Sequence, residues 1–264
     1  MALKVLKSAQ SQWRLYGHRN PEIIVGGHSH AYSLVAAQNA GFGPTSLAGA
    51  VAYTRDHKSG SPDGDDYWDY LADKSTGKVV AIVWSGNQHN VDFLVQPHNP
   101  FRVWLSPLTE SADVEKPWVP QAMIRAKWEP SFFGLTSAIE KLHRSAQVII
   151  LGTPPPKTDD FIAKIMASDT YLLGRANESH VDVSTLRITP QNERLIYWTI
   201  LQSMLRDCAT EAGVAFIPSP SASSDAAGFL LPSHCAADTT HANDEHGALL
   251  WRALESHVKS GLHV

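Results

Sequence analysis

Cysteine is scarce in this chain. Two residues, Cys208 and Cys235, in 264 give neither a disulfide framework nor a zinc-binding cysteine pattern. An excess of basic charge is also missing: 22 Lys and Arg stand against 26 Asp and Glu, for a net charge of −4. No basic run is present to neutralise phosphates, which argues against nucleic acid as a partner. Long apolar runs are absent too. The longest unbroken one, residues 79–84, is far shorter than the roughly 20 residues of a membrane-spanning helix. Residues 1–14 carry Lys4, Lys7 and Arg14 among polar residues, without the apolar stretch of a secretory signal. The expected location is therefore the cytoplasm, with no membrane partner. No internal repeat is visible.

What the chain does have is enough apolar material, 43% of its residues, for a sizeable core. Short apolar runs alternate with helical patterns. Residues 23–25, 49–54, 78–84, 147–151 and 214–217 read as five strands. The runs at 79–84 and 148–151 are continuous rather than alternating, as expected for strands covered on both faces. Residues 2–16, 30–40, 66–74, 121–144, 159–168, 193–212 and 244–257 read as helices. In the long one, Tyr197, Leu201, Met204, Leu205 and Cys208 share a face, which makes Cys208 a packing residue. Strand–helix alternation predicts a parallel sheet with helices on both sides, an α/β/α sandwich. The chain reads as one domain over residues 1–264, with a Pro- and Trp-rich insertion around 91–120.

Chemistry-bearing residues cluster just after predicted strands, where open α/β sheets place their sites. Glu22-Ile23-Ile24-Val25-Gly26-Gly27-His28-Ser29-His30 is a strand, a sharp glycine turn and a polar residue, followed by a helix. That arrangement displays a reactive side chain above the sheet, and Ser29 is the candidate nucleophile. The competing reading is that Ser29 caps the helix. Asp238-Thr239-Thr240-His241 supplies a carboxylate and an imidazole three residues apart, able to orient a base and activate a serine hydroxyl. Here too a cap is the alternative, with Asp238 at the start of the last helix and His241 on its surface. Asn87, at the end of the third predicted strand, offers an N–H donor for an oxyanion, together with the backbone N–H of Ser29; the alternative for Gly86-Asn87 is an ordinary turn.

Gly27-His28-Ser29, Gly86-Asn87 and Asp238-Thr239-Thr240-His241, in that order, resemble the SGNH (GDSL-type) hydrolase superfamily. The stretch Asp-Thr-Thr-His-Ala-Asn, with Gly-Phe-Leu-Leu-Pro before it, is similar to a little-characterised bacterial group within it. The resemblance covers residues 22–255. It implies a three-layer, flavodoxin-like α/β/α sandwich with about five parallel strands, and an esterase, lipase, thioesterase or carbohydrate acetylesterase activity without a cofactor or metal. It implies Ser29 as nucleophile, His241 as base, Asp238 as its orienter, and Ser29, Asn87 and Gly60 as oxyanion donors, with Gly64 next in line after Gly60. The expected substrate is a small-molecule or glycan ester.

Three departures are local. His28 stands where the family has an Asp, His30 follows the nucleophile, and the Asn block continues as Gln88-His89 rather than with an Asp. The turn geometry predicts a structural role for His28, while His30 and His89 are expected at the substrate. Three other readings compete. The acyl group can pass to a second alcohol, as in an acyltransferase. The fold can serve glycan binding, with Trp104, Trp118 and Trp128 as exposed stacking platforms, although aromatics in an insertion more often form local core. His28-x-His30, His89 and Gly64-Asp65-Asp66 also echo metallophosphoesterase elements, although in the wrong order for two converging metals.

Overall fold

The computed structural model describes residues 14–53, 64–84, 88–105 and 116–261. Its strands are β1 (Arg14–Gly17), β2 (Ile23–Gly27), β3 (Gly49–Tyr53), β4 (Val79–Val83), β5 (Arg102–Val103), β6 (Trp118–Val119), β7 (Gln147–Leu151) and β8 (Ala215–Ile217). Six of these form one sheet in the order β1-β3-β2-β4-β7-β8, and β5 pairs with β6 apart from it. Without β1 the sheet is parallel throughout. Its five strands then follow the flavodoxin-like order, in which the chain reverses direction across the sheet between β2 and β4.

The helices are α1 (Tyr32–Asn39), α2 (Asp65–Lys74), α3 (Gln88–Phe93), α4 (Gln121–Trp128), α5 (Phe133–His143), α6 (Asp159–Ile165), α7 (Thr170–Glu178), α8 (Gln191–Glu211) and α9 (Asp244–Gly261). Successive strand side chains point to opposite faces, so each continuous apolar strand feeds two cores. Ile24, Val80, Ile82, Val148 and Ile150 pack with residues of α2, α4, α5 and α8. Ile23, Val25, Ala81, Val83, Ile149 and Leu151 pack with α1 and α9. This is the expected three-layer α/β/α sandwich. A smaller cluster gathers Leu94, Ile162 and Leu172 beside it.

The sequence reading needs correcting at the start. Residues 1–13 lie outside the described residues, and residues 14–17 are an antiparallel edge strand on β3 rather than the end of a helix. Leu15 packs toward one core and Tyr16 toward the other, a period of two that no helix allows. Residues 121–144 hold two helices, interrupted by a 3-10 turn at Glu129–Phe132 where Pro130 cannot supply an N–H. Helix α7 was not anticipated. The region expected as an irregular insertion holds α3, β5 and β6. Its backbone is tied to the segment before α8 by Thr189 N–H to Leu94 O at 2.9 Å and Gln96 N–H to Arg187 O at 2.7 Å.

One buried carboxylate fixes how α9 meets the rest. Glu255 accepts hydrogen bonds from the Ser46 N–H at 2.5 Å, the Leu47 N–H at 3.0 Å and the Thr45 hydroxyl at 3.3 Å, and from the Ser46 hydroxyl. Burial alone would push its pKa up, but these donors outweigh it and hold the group at about 2. A carboxyl depressed from 4.5 contributes stability above that value and loses it as pH falls through the folded value. Replacing Glu255→Gln should cost about 1.5–3 kcal/mol near neutral pH. The gap between the two proteins should close as pH falls from about 4.5 to about 2. Urea titrations at a series of pH values measure both; a gap constant with pH would show that the charge contributes nothing.

Candidate active site

The turn after β2 is built by two glycines. Gly27 sits at φ +136°, and a Cβ there would lie 2.0 Å from the Val83 carbonyl oxygen, so no other residue fits. The Gly27 N–H donates to the buried Tyr67 hydroxyl at 2.6 Å, and that hydroxyl donates to Ala52 O at 2.7 Å. The His28 N–H then donates to Val83 O at 2.9 Å. The chain leaves the sheet at the β2–β4 crevice, directly into the 3-10 turn Ser29–Ala31. That turn has no side-chain cap, and neither has α1. The half-buried Ser29 is therefore no helix cap.

The two flanking histidines part company. The His28 ring meets the Trp84 ring edge-on at 4.7 Å. The His30 ring is buried and lies 5.3 Å from the ring of His241. Neither ring nitrogen of His30 has a hydrogen-bond partner among the described residues. Its pKa is held well below the usual value, first by burial and then by repulsion from charge on His241 and His89; Asp238 acts in the opposite sense. His89 is buried in the first turn of α3.

The 238–241 stretch is a turn organised by its own carboxylate. Asp238 Oδ1 accepts from the Thr240 N–H at 2.8 Å and the His241 N–H at 2.6 Å, and Oδ2 lies 3.0 Å from His241 Nδ1. Burial raises the Asp238 pKa, but the His241 ring and these amides overcome that and drive it far below the usual carboxylate range. A carboxylate can only accept, so Nδ1 carries the proton in this bond; in a neutral imidazole that tautomer leaves the lone pair on Nε2. His241 Nε2 is buried and has no hydrogen-bond partner among the described residues. Asp238 does not cap the last helix; Asn243 does, with Oδ1 accepting from the Glu245 and His246 N–H groups at 3.1 and 3.3 Å.

Helix α9 carries this turn toward the Ser29 turn by packing backbone against backbone. A Cβ at Gly247 would meet Ser33 O at 2.0 Å, and the Trp251 indole N–H donates to Leu34 O at 3.1 Å. Of the residues expected in the site, the structure gathers His30, Asp238 and His241, with Ser29 beside His30 and His89 close enough to oppose charge on it. Gly60 and Asn87 lie outside the described residues.

Sequence reasoning missed Tyr67, Lys157, Asp169 and His246. The only cue for Lys157 was its place after the proline run that follows a strand; Asp169 had the ordinary look of a cap before α7. The stacking candidates divide. Trp104 and Trp118 are 57% and 44% exposed and meet edge-on at 5.7 Å. Trp128, expected on the surface, is 2% exposed, because its indole N–H reaches Asp92 Oδ2 at 2.7 Å inside the α3–α8 packing. Asp65, of the metallophosphoesterase echo, is paired with Lys141 on the surface at 2.8 Å. Among the described residues, no three His, Cys, Asp or Glu are grouped to hold a metal ion. No helix among them is long and apolar enough to cross a membrane.

Two buried imidazoles set a pH limit on the fold. The His246 pKa is pushed down to about 3 by burial, with His234 adding to the effect, and His30 is lowered as described. Below the ordinary value of 6.5 the unfolded chain binds protons that the folded chain refuses. Stability is therefore complete above that pH and declines as pH falls toward 3. The slope should be roughly 1.4 kcal/mol per pH unit for each imidazole. Thermal unfolding at a series of pH values tests this, and His246→Leu should flatten the slope; an unchanged slope would place the proton uptake elsewhere.

No protein-family model and no curated protein matches the sequence. Solved structures similar to it include a GDSL-like lipase from Bacteroides thetaiotaomicron, 9% identical, covering 98% of this chain and 97% of that one with a TM-score of 0.49. The periplasmic domain of a lipopolysaccharide acetyltransferase from Salmonella ser. Paratyphi A is 13% identical, covering 91% and 85% with a TM-score of 0.49. A carbohydrate acetylesterase from Sinorhizobium meliloti is 10% identical, covering 90% and 98% with a TM-score of 0.43. In layering and in strand order, the chain has the fold that its resemblance to the SGNH (GDSL-type) superfamily implies.

Proposed function

We propose that the protein is a serine ester hydrolase acting through Ser29, His241 and Asp238. The observation that carries this reading is the Asp238–His241 pair, with Nδ1 engaged at 3.0 Å and Nε2 buried and unpartnered, packed against the residue that follows Ser29. His241 Nε2 takes the Ser29 hydroxyl proton as Oγ attacks the acyl carbon. Asp238 keeps the ring in the required tautomer and balances the charge that develops on it. The Ser29 N–H and Asn87, with Gly60, stabilise the oxyanion; one such donor is typically worth about 3–4 kcal/mol. The alcohol leaves with the proton from Nε2, and water resolves the acyl-enzyme. His30 and His89 form the polar wall that meets the substrate, a small-molecule or glycan ester with a short acyl group.

A fluorophosphonate probe should label Ser29, and p-nitrophenyl acetate should be hydrolysed. Ser29→Ala and His241→Ala should each lower kcat by at least about 10³-fold, because members of such a unit fail together. Wild-type turnover in Ser29→Ala would overturn the assignment.

A further inference from the structure

Lys157 ends the loop that follows β7 and is 1% exposed. An ammonium group so deeply covered needs acceptors, and the acceptors here belong to the segment carrying the catalytic pair. Nζ donates to Ala236 O at 2.8 Å and to Asp238 O, and stands 3.8 Å from Asp238 Oδ1. The face of the Phe161 ring closes over it at 4.8 Å. The lysine is itself held. The buried Arg194 donates from Nη1 to Lys157 O at 2.7 Å and from Nε to Thr189 O at 2.9 Å, and it pairs with Asp159.

A second buried group grips the same turn from another side. Asp169 Oδ2 accepts from the Thr239 N–H at 2.7 Å, while Oδ1 caps α7 by accepting from the Leu172 N–H at 2.8 Å. The backbone on both sides of the Asp238 side chain is thus fixed by a cation and an anion from separate elements. The side chain itself is left free to bond His241.

We infer that Lys157 and Asp169 are positioning residues for the Asp238–His241 pair, clamping residues 236–239 so that the Asp238 carboxylate meets His241 Nδ1 in a single geometry. Lys157 also places a positive charge next to that carboxylate without competing for Oδ2, the oxygen that faces the imidazole. The clamp rests on the serine-hydrolase reading for its kinetic consequence, and on the contacts alone for its structural one.

The test pairs a spectroscopic readout with a kinetic one. The His241 Nδ1 proton, bonded to a carboxylate, should give a resolved downfield resonance in the proton NMR spectrum of the wild-type protein, absent in His241→Ala. In Lys157→Met this resonance should broaden or vanish, and kcat for p-nitrophenyl acetate should fall about 10²-fold, the scale of a misplacement near 1 Å. KM should change little. Lys157→Arg, which keeps the charge and the donors, should recover the resonance and most of the turnover. Should Lys157→Met fail to fold, Asp169→Asn, which retains an acceptor for the α7 cap, is read in the same way.

A folded Lys157→Met or Asp169→Asn protein with the resonance intact would overturn the clamp, whatever its activity. So would a wild-type spectrum without the resonance. If no ester is hydrolysed and Ser29 is not labelled, but the resonance still depends on Lys157, the clamp stands and the hydrolase reading falls.

Discussion

The closeness of the backbones of β2 and β4 at their carboxyl ends governs the rest of the molecule. Gly27 takes a left-handed φ with no room for a Cβ against Val83, and Tyr67 ties its N–H to Ala52 across the neighbouring strand. A sheet in which the chain winds one way from β2 and the other way from β4 opens a crevice at that point. The glycine contact holds its two walls together at the base, and the tight exit from β2 sends Ser29 out at the top.

From there, carboxylates act as local organisers, Asp169 and Glu255 buried and Asp238 half-buried. Asp238, Asp169 and Glu255 each gather backbone N–H groups from loops that have no secondary structure of their own. Charge-assisted bonds of this kind are roughly twice as strong as neutral ones. They let irregular segments stay ordered beside a sheet that cannot hydrogen-bond to them. For Asp238 and Glu255 the same donors hold the pKa below the usual carboxylate range.

Much of this could be read from residue order. The continuous Val/Ile runs marked strands covered on both faces, and the glycine turn marked the carboxyl end of β2. The paired readings of Ser29 and Asp238 as caps needed coordinates to separate them. A cap and a reactive side chain look alike in sequence; the absent capping bond at Ser29 and the Asn243 cap on α9 set the cap readings aside. Residues 14–17 misled because four residues are too few to display a period against the helical pattern before them. Lys157 was missed and Trp128 was placed on the surface for a shared reason: each is a polar-tipped side chain whose partner, Asp238 or Asp92, is distant in sequence. Burial of such a tip depends on that partner rather than on its neighbours in the chain.

The packing of α9 on α1 joins residues very far apart along the chain: the bond from Trp251 to Leu34 spans 217 positions. Closing so long a loop is entropically slow. Until it closes, one whole face of the sheet, including Ile23, Val25, Val51, Ala81 and Val83, has lost its main cover. That docking also sets the ring of His241, just ahead of α9, beside the ring of His30. An open apolar flank of this kind favours association with other copies.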